Sequence, residues 1–324
     1  MKTESYGFRF AVVFFVLLSV AACHRNDSST GHQQEEYVMV ATNTSLPYWI
    51  EARQGFEDAA RELGVTARFL GTPGYNPAEQ AKLFTSAAWT RPAGMLVAPA
   101  DPDILKSAID GATQLGVAVA CVDTDSPASS RLFFIGTSNR DAGMQGGELL
   151  AKALHGGGDV VLLTVPRQWN LAERVLGYQD ALKQYPAIKI VDILDDVGDP
   201  GRASALVSEA LHKHPGLKGI AALDAAGGPG AAEALSRAGK QLAVVAMDRD
   251  PRTLQLVHDG LVWATIGQKP YTMSYYGLKL LHDMHHNSVH IFPDWRLAQT
   301  SPLPVRIDTG TALITRDNVA AFMP

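Results

Sequence analysis

Ala243-Val244-Val245-Ala246-Met247-Asp248, followed further on by Trp263-Ala264-Thr265-Ile266-Gly267-Gln268, is the stretch whose reading decides the fold. An apolar run that stops at a carboxylate, a helical segment, and a second apolar run that stops at an amide describe a βαβ unit. Polar groups then stand at the carboxyl ends of its strands, which is where open α/β sheets bind ligands. Between the runs, Asp250-Pro251 marks a helix start, with proline at the first helical position and the aspartate before it as cap. Asp250 does the capping, and Asp248 is left to point elsewhere.

Working outward, the same alternation fills the chain. Tyr37 to Ala41 reads as a buried strand, and Trp49, Ala52, Phe56, Ala59, Ala60 and Leu63 then share one helical face that ends at Gly64. Further strands are predicted at Val65 to Leu70, Gly94 to Ala98, Val117 to Val122 and Leu132 to Ile135. Helices are predicted at Pro77 to Trp89 and, capped by Asp101, at Pro102 to Leu115. The series then restarts. Helices over Asp141 to Leu154, Leu171 to Tyr185, Pro200 to His212 and Gly230 to Ala238 separate strands at Val160 to Thr164, Ile188 to Leu194 and Lys218 to Leu223. A long helix to about His286 and short strands near Val305 to Ile307 and Ala312 to Ile314 complete the chain. Helices joining consecutive strands make parallel sheets covered on both faces, so two such series imply an α/β protein of two doubly wound lobes.

Composition agrees and excludes several classes. The 324 residues suffice for two cores, and a formal net charge of -5 leaves no footprint for nucleic acid. At the N-terminus, Lys2 and Arg9 precede the apolar run Phe10 to Leu18, which small residues close at Ser19-Val20-Ala21-Ala22-Cys23. That run is shorter than the roughly 20 residues of a spanning helix and reads as an export signal. Leu18 to Cys23 also resembles a bacterial lipoprotein signal, in which Cys23 becomes the lipidated first residue. Residues 1–23 are then a signal and 24–36 a flexible tether, with the body held on the periplasmic or extracellular side of a bacterial membrane. Cys121 lies in an apolar strand without a disulfide partner and is a buried small hydrophobe.

An ordered set of residues resembles a known family. Asn43 to Gly55, Asp123, Glu173 to Tyr178, Asp224 with Gly230-Ala231, Asp248 and Gly267-Gln268 follow the order and spacing of the ribose-binding type of periplasmic sugar-binding proteins, the substrate-binding subunits of ABC transporters. The resemblance runs from about Val38 to Phe322. It implies the type I periplasmic binding fold, with three crossovers near Thr137 to Asn139, Gln268 to Lys269 and Leu303 to Val305. The lobes would comprise 37–137 with 269–303, and 138–268 with 304–324. It implies a monomer that closes over a sugar or polyol and delivers it to a permease, or signals through a chemoreceptor or histidine kinase, with no cofactor and no turnover. Tyr48 and Trp49 match positions that clamp the sugar ring, and Asp123, Arg174, Asp224, Asp248 and Gln268 match positions that hydrogen-bond its hydroxyls. Trp169 is expected to add a ring face or a lid.

The same residues have plainer roles open to them. Tyr48 and Trp49 could be core rings, Asp123 and Asp224 helix caps, Arg174 a surface charge and Trp169 a loop aromatic packed on its own lobe. Departures from the family pattern are specific: Leu46, Ala98 and Thr124 stand where ribose-binding relatives carry Asn, Asn and Arg. A ribose hydroxyl left facing Leu46 would lose about 1 to 3 kcal/mol, which argues for a ligand other than ribose. A second class of function is metal binding by the cluster His282, His285, His286 and His290, because His282 and His286 lie one helical turn apart. That stretch reads instead as the solvated end of an amphipathic helix. An enzyme is disfavoured: no nucleophile elbow and no phosphate loop occur, and Gly227-Gly228-Pro229-Gly230 lacks the dinucleotide fingerprint.

Overall fold

The computed structural model describes residues 35–289, 293–294 and 300–323. Cys23, the signal, nearly all of the tether and His290 lie outside the described residues. The chain builds a first lobe from β1 (Glu36–Ala41), α1 (Tyr48–Leu63), β2 (Thr66–Gly71), α2 (Pro77–Trp89), β3 (Gly94–Val97), α3 (Pro102–Gln114), β4 (Ala118–Val122) and β5 (Phe134–Gly136). It then crosses into a second lobe of α4 (Asn139–Ala153), β6 (Gly157–Thr164), α5 (Trp169–Leu182), β7 (Ala187–Asp195), α6 (Pro200–Lys213), β8 (Leu217–Ala222), α7 (Gly227–Ala238), β9 (Ala243–Met247), α8 (Pro251–His258) and β10 (Ala264–Gly267). Helix α9 (Pro270–His285) returns to pack on α1 and is followed by β11 (Arg306–Asp308) and β12 (Ala312–Thr315).

Each lobe is a six-stranded sheet, ordered β11-β5-β4-β3-β1-β2 in the first and β12-β10-β9-β8-β6-β7 in the second. The pairings are parallel except that of β10 with β12. The near-continuous apolar runs have a simple cause. In β1, Met39 and Ala41 enter a core with Phe56, Leu96 and Leu278, while Val38 and Val40 enter another with Phe84 and Ile109. The second lobe repeats the division, with Leu163 and Val244 on one face and Leu162 and Val245 on the other. A strand covered by helices on both faces has no solvent face to carry polar residues.

Local signals also act as their chemistry dictates. The side chains of Asp101, Asp199 and Asp250 accept backbone N–H groups in the first turns of α3, α6 and α8, each ahead of a proline. Such caps contribute on the order of 1 kcal/mol apiece. Gly64 closes α1 in the left-handed conformation at φ 70°.

One boundary is corrected. The expected division placed 304–324 in the second lobe, but β11 pairs with β5 in the first sheet, and the Phe134 N–H donates to the Val305 carbonyl. Leu303 and Ile307 pack on the first lobe's core. The third crossover therefore lies at residues 309–311, not at Leu303 to Val305; a three-residue edge strand carries too little pattern to announce its sheet. Among the described residues no helix is long and apolar enough to cross a membrane.

Candidate functional site

The carboxyl ends of both sheets face one another across the crossovers. Asp123 follows β4, Asp224 lies just past β8, Asp248 follows β9 and Gln268 follows β10, while Tyr48 and Trp49 open α1 from the first lobe. Asp123 and Asp248 adopt left-handed backbone conformations, φ 66° and 74°. Aspartate tolerates this region better than most residues, but the geometry still costs about 1 to 3 kcal/mol and marks sites where side-chain direction matters more than stability.

Arg174 stands at the centre and is almost wholly buried. Helices α4 and α5 approach closely through glycines: a Cβ on Gly143 would lie 2.2 Å from the Arg174 carbonyl oxygen, and one on Gly177 2.2 Å from that of Arg140. The guanidinium spends its donors on three different acceptors. Nε donates to Asn139 Oδ1 at 2.9 Å, Nη1 to the Leu223 carbonyl at 2.7 Å and Nη2 to Gln268 Oε1 at 2.7 Å. Gln268 Oε1 also accepts from the Thr137 hydroxyl at 2.9 Å, which orients the amide so that Nε2 donates to Asp248 Oδ1 at 2.7 Å. Tyr48 donates its hydroxyl to Asp123 Oδ1 at 2.6 Å and meets Trp49 edge to face, ring centroids 5.2 Å apart.

Burial dominates the electrostatics. It pushes the Asp248 carboxyl up to about 7 against the opposing pull of Arg174 and Gln268, and it raises Asp123 against Tyr48 and Arg174. Asp224 is raised by burial as well, opposed by the backbone N–H groups of Gly227 and Ala226 and by Arg174. Asp196, fully buried beside it, is raised by burial and then by the Asp224 charge. The sign of the consequence follows. An unfolded Asp248 titrates near 3.8 and the folded one near 7, so the folded state binds more protons between those values. The stability this group contributes is full below about pH 4 and is lost as pH rises through 7. Ligand-free protein should therefore lose unfolding temperature across that window more steeply than Asp248→Asn; identical slopes in a thermal titration would contradict the shift.

Tyr48, Trp49, Asp123, Arg174, Asp224, Asp248 and Gln268 line a cavity between the lobes together with Asn43, Leu46, Tyr75, Gln168, Asn170, Val197 and Gly198. The lobes also touch directly. Asn43 Nδ2 donates to the Gly198 carbonyl at 3.0 Å, Arg167 Nε to Asp101 Oδ2 at 2.6 Å, and Arg249 pairs with Glu51. Of the sequence-predicted residues, Tyr48, Trp49, Asp123, Arg174, Asp224, Asp248 and Gln268 all reach the cavity. Trp169 does not; it is half-buried in the first turn of α5, and its neighbours Gln168 and Asn170 line the wall instead.

The plainer role of helix cap is not the one Asp224 takes: α7 starts at Gly227, earlier than the predicted Gly230, with Ala226 as its N-cap residue. Asp224 Oδ1 accepts from the N–H groups of Ala226 and Gly227 in the turn that leads into the helix. Sequence reasoning missed Asn43 as a cavity residue, whose buried Oδ1 has no hydrogen-bond partner among the described residues, and Asp196, which stands beside Asp224. Asp196 immediately follows β7, so the strand-end position that singled out the other carboxylates was available for it as well. His282 and His286 take no part in the cavity.

Residues 37–286 match the family described as a periplasmic binding protein domain. The chain is 32% identical to a sugar-binding protein of a sugar ABC transporter from Bacillus halodurans, whose crystal structure superposes with a TM-score of 0.79 over 89% of this chain and 100% of that one. An ABC transporter solute-binding protein from Burkholderia graminis, solved in complex with D-arabinose, is 29% identical at a TM-score of 0.80, covering 90% of this chain and 99% of that one. The D-allose-binding periplasmic protein of Escherichia coli is 25% identical over 79% of this chain and 86% of its own length.

Proposed function

The chain belongs to the periplasmic binding protein family, and from that premise we propose that its cleft captures a monosaccharide or a closely related polyol by lobe closure and hands it to an ABC transporter permease. One observation carries the reading: the buried carboxylates of Asp123, Asp224 and Asp248 converge with Arg174, Gln268 and the rings of Tyr48 and Trp49 on a single interlobe cavity. Acceptors in this number suit a solute rich in hydroxyl donors, and charged acceptors bond a hydroxyl roughly twice as strongly as neutral ones. Ring faces suit the C–H faces of a sugar. Of Leu46, Ala98 and Thr124, Leu46 lines the cavity and sets an apolar side chain where the resemblance to ribose-binding relatives implies Asn, which supports a sugar other than ribose.

Closure follows from differential affinity. A ligand bonded to both lobes adds its second set of contacts only in the closed form, where Asn43–Gly198 and Glu51–Arg249 also join the lobes. Export and lipid attachment through Cys23 would hold the protein beside the permease. Uptake of a radiolabelled monosaccharide that binds the purified protein tests the whole proposal. Cells lacking the chain should lose high-affinity uptake and regain it from a plasmid copy that pellets with membranes unless Cys23→Ser is introduced. Unchanged uptake in the deletion would move the function to sensing, and a pelleting Cys23→Ser protein would remove the lipid anchor.

A further inference from the structure

We propose that Glu35, His282 and His286 form a binding site for a borderline divalent metal ion, Zn²⁺ or Ni²⁺, at the root of the tether. One ligand atom from each of the three lies within 4.8 Å of the others. His286 Nε2 and Glu35 Oε2 are 3.0 Å apart, and the His282 and His286 rings, one turn apart at the end of α9, have centroids 4.3 Å apart. Bonds of about 2.0 to 2.1 Å in a tetrahedron place ligand atoms about 3.3 Å from one another. The carboxylate and His286 already meet that spacing, and a ring rotation brings in His282.

The donor set selects the metal. Two imidazoles and one carboxylate suit Zn²⁺ or Ni²⁺, whereas Mg²⁺ and Ca²⁺ favour sites made wholly of oxygen. Three protein ligands leave a fourth position for water. The surroundings favour a cation as well: His286 caps α9 at its C-terminal end, where the helix dipole is negative. Tyr37 encloses the site from below, its hydroxyl 3.5 Å from Glu35 Oε2 and its ring centroid 6.2 Å from that of His282.

The histidine pair alone read as a solvated helix end; the fold supplies the missing carboxylate from 251 positions upstream of His286. Glu35 precedes β1, so the site lies at the amino end of the first sheet. The sugar cavity lies at the other end, about 20 Å away by strand rise. A bound ion would tie the entrance of β1 to the end of α9 and fix where the tether leaves the body. Because an unfolded chain does not hold these three groups together, the ion would stabilise the folded protein.

The test is zinc titration by calorimetry of the protein without a polyhistidine tag, paired with thermal unfolding in Zn²⁺ and in EDTA. We expect one Zn²⁺ per chain and a midpoint several degrees higher in saturating Zn²⁺ than in EDTA. His286→Ala should weaken binding at least tenfold, Glu35→Gln should weaken it too, and His258→Ala should leave it unchanged. His282 packs near Tyr37, so exposed His286→Ala is the deciding variant, its fold checked by an unaltered midpoint in EDTA. No zinc uptake, or uptake of equal affinity in folded His286→Ala, would overturn the proposal.

Discussion

Asp248→Ala is expected to weaken sugar binding by on the order of a hundredfold while the ligand-free protein unfolds at nearly the wild-type temperature. The loss follows from removing a charged acceptor from an enclosed site, a hydrogen bond of about 1.5 to 3 kcal/mol, and from freeing the Gln268 amide that Asp248 Oδ1 holds at 2.7 Å. Stability moves little because two effects oppose. Deleting a carboxylate that burial has pushed up to about 7 relieves a desolvation cost at neutral pH, whereas alanine at φ 74° meets a left-handed penalty of about 1 to 2 kcal/mol. Asp248→Asn avoids that penalty and should be the more stable variant. Calorimetry with a sugar that binds the wild type decides the matter, and an unchanged dissociation constant would remove Asp248 from the site.

Arg174→Ala is expected to reduce both stability and binding, and its stability effect should be the largest of any single substitution in the cleft. The guanidinium satisfies Asn139, the Leu223 carbonyl and Gln268 at once and pulls against the desolvation of Asp123, Asp224 and Asp248. Removing one member of such a buried charged network costs about 3 to 5 kcal/mol. Arg174→Lys should rescue little, because an ammonium on a flexible stem cannot reproduce donors aimed at three separated acceptors. Chemical denaturation measures the effect, and a variant within 1 kcal/mol (about the cost of an ordinary substitution) of wild type would contradict this role.

Much of this arrangement was legible because it is local. The run Ala243 to Met247 is apolar throughout since β9 is covered on both faces, and Asp250-Pro251 is a cap whose chemistry lies in adjacent residues. Strand ends could be read as cleft positions because parallel sheets place them together. What was not legible depends on contacts between distant segments. The three residues of β11 join the first sheet by pairing with β5, which no spacing in the chain announces. Trp169 opens α5 without lining the cavity, while its neighbours Gln168 and Asn170 do line it. Asp196 was passed over beside Asp199, whose capping pattern with Pro200 is the stronger local signal. Glu35 gains meaning only when β1 is laid against the end of α9.

The most direct test of the central claim is isothermal titration of the purified protein with a panel of aldopentoses, aldohexoses, ketohexoses and polyols. The account predicts that at least one of them binds with a stoichiometry of one per chain. The absence of binding by every member of the panel at millimolar concentration, or a stoichiometry other than one, would contradict it.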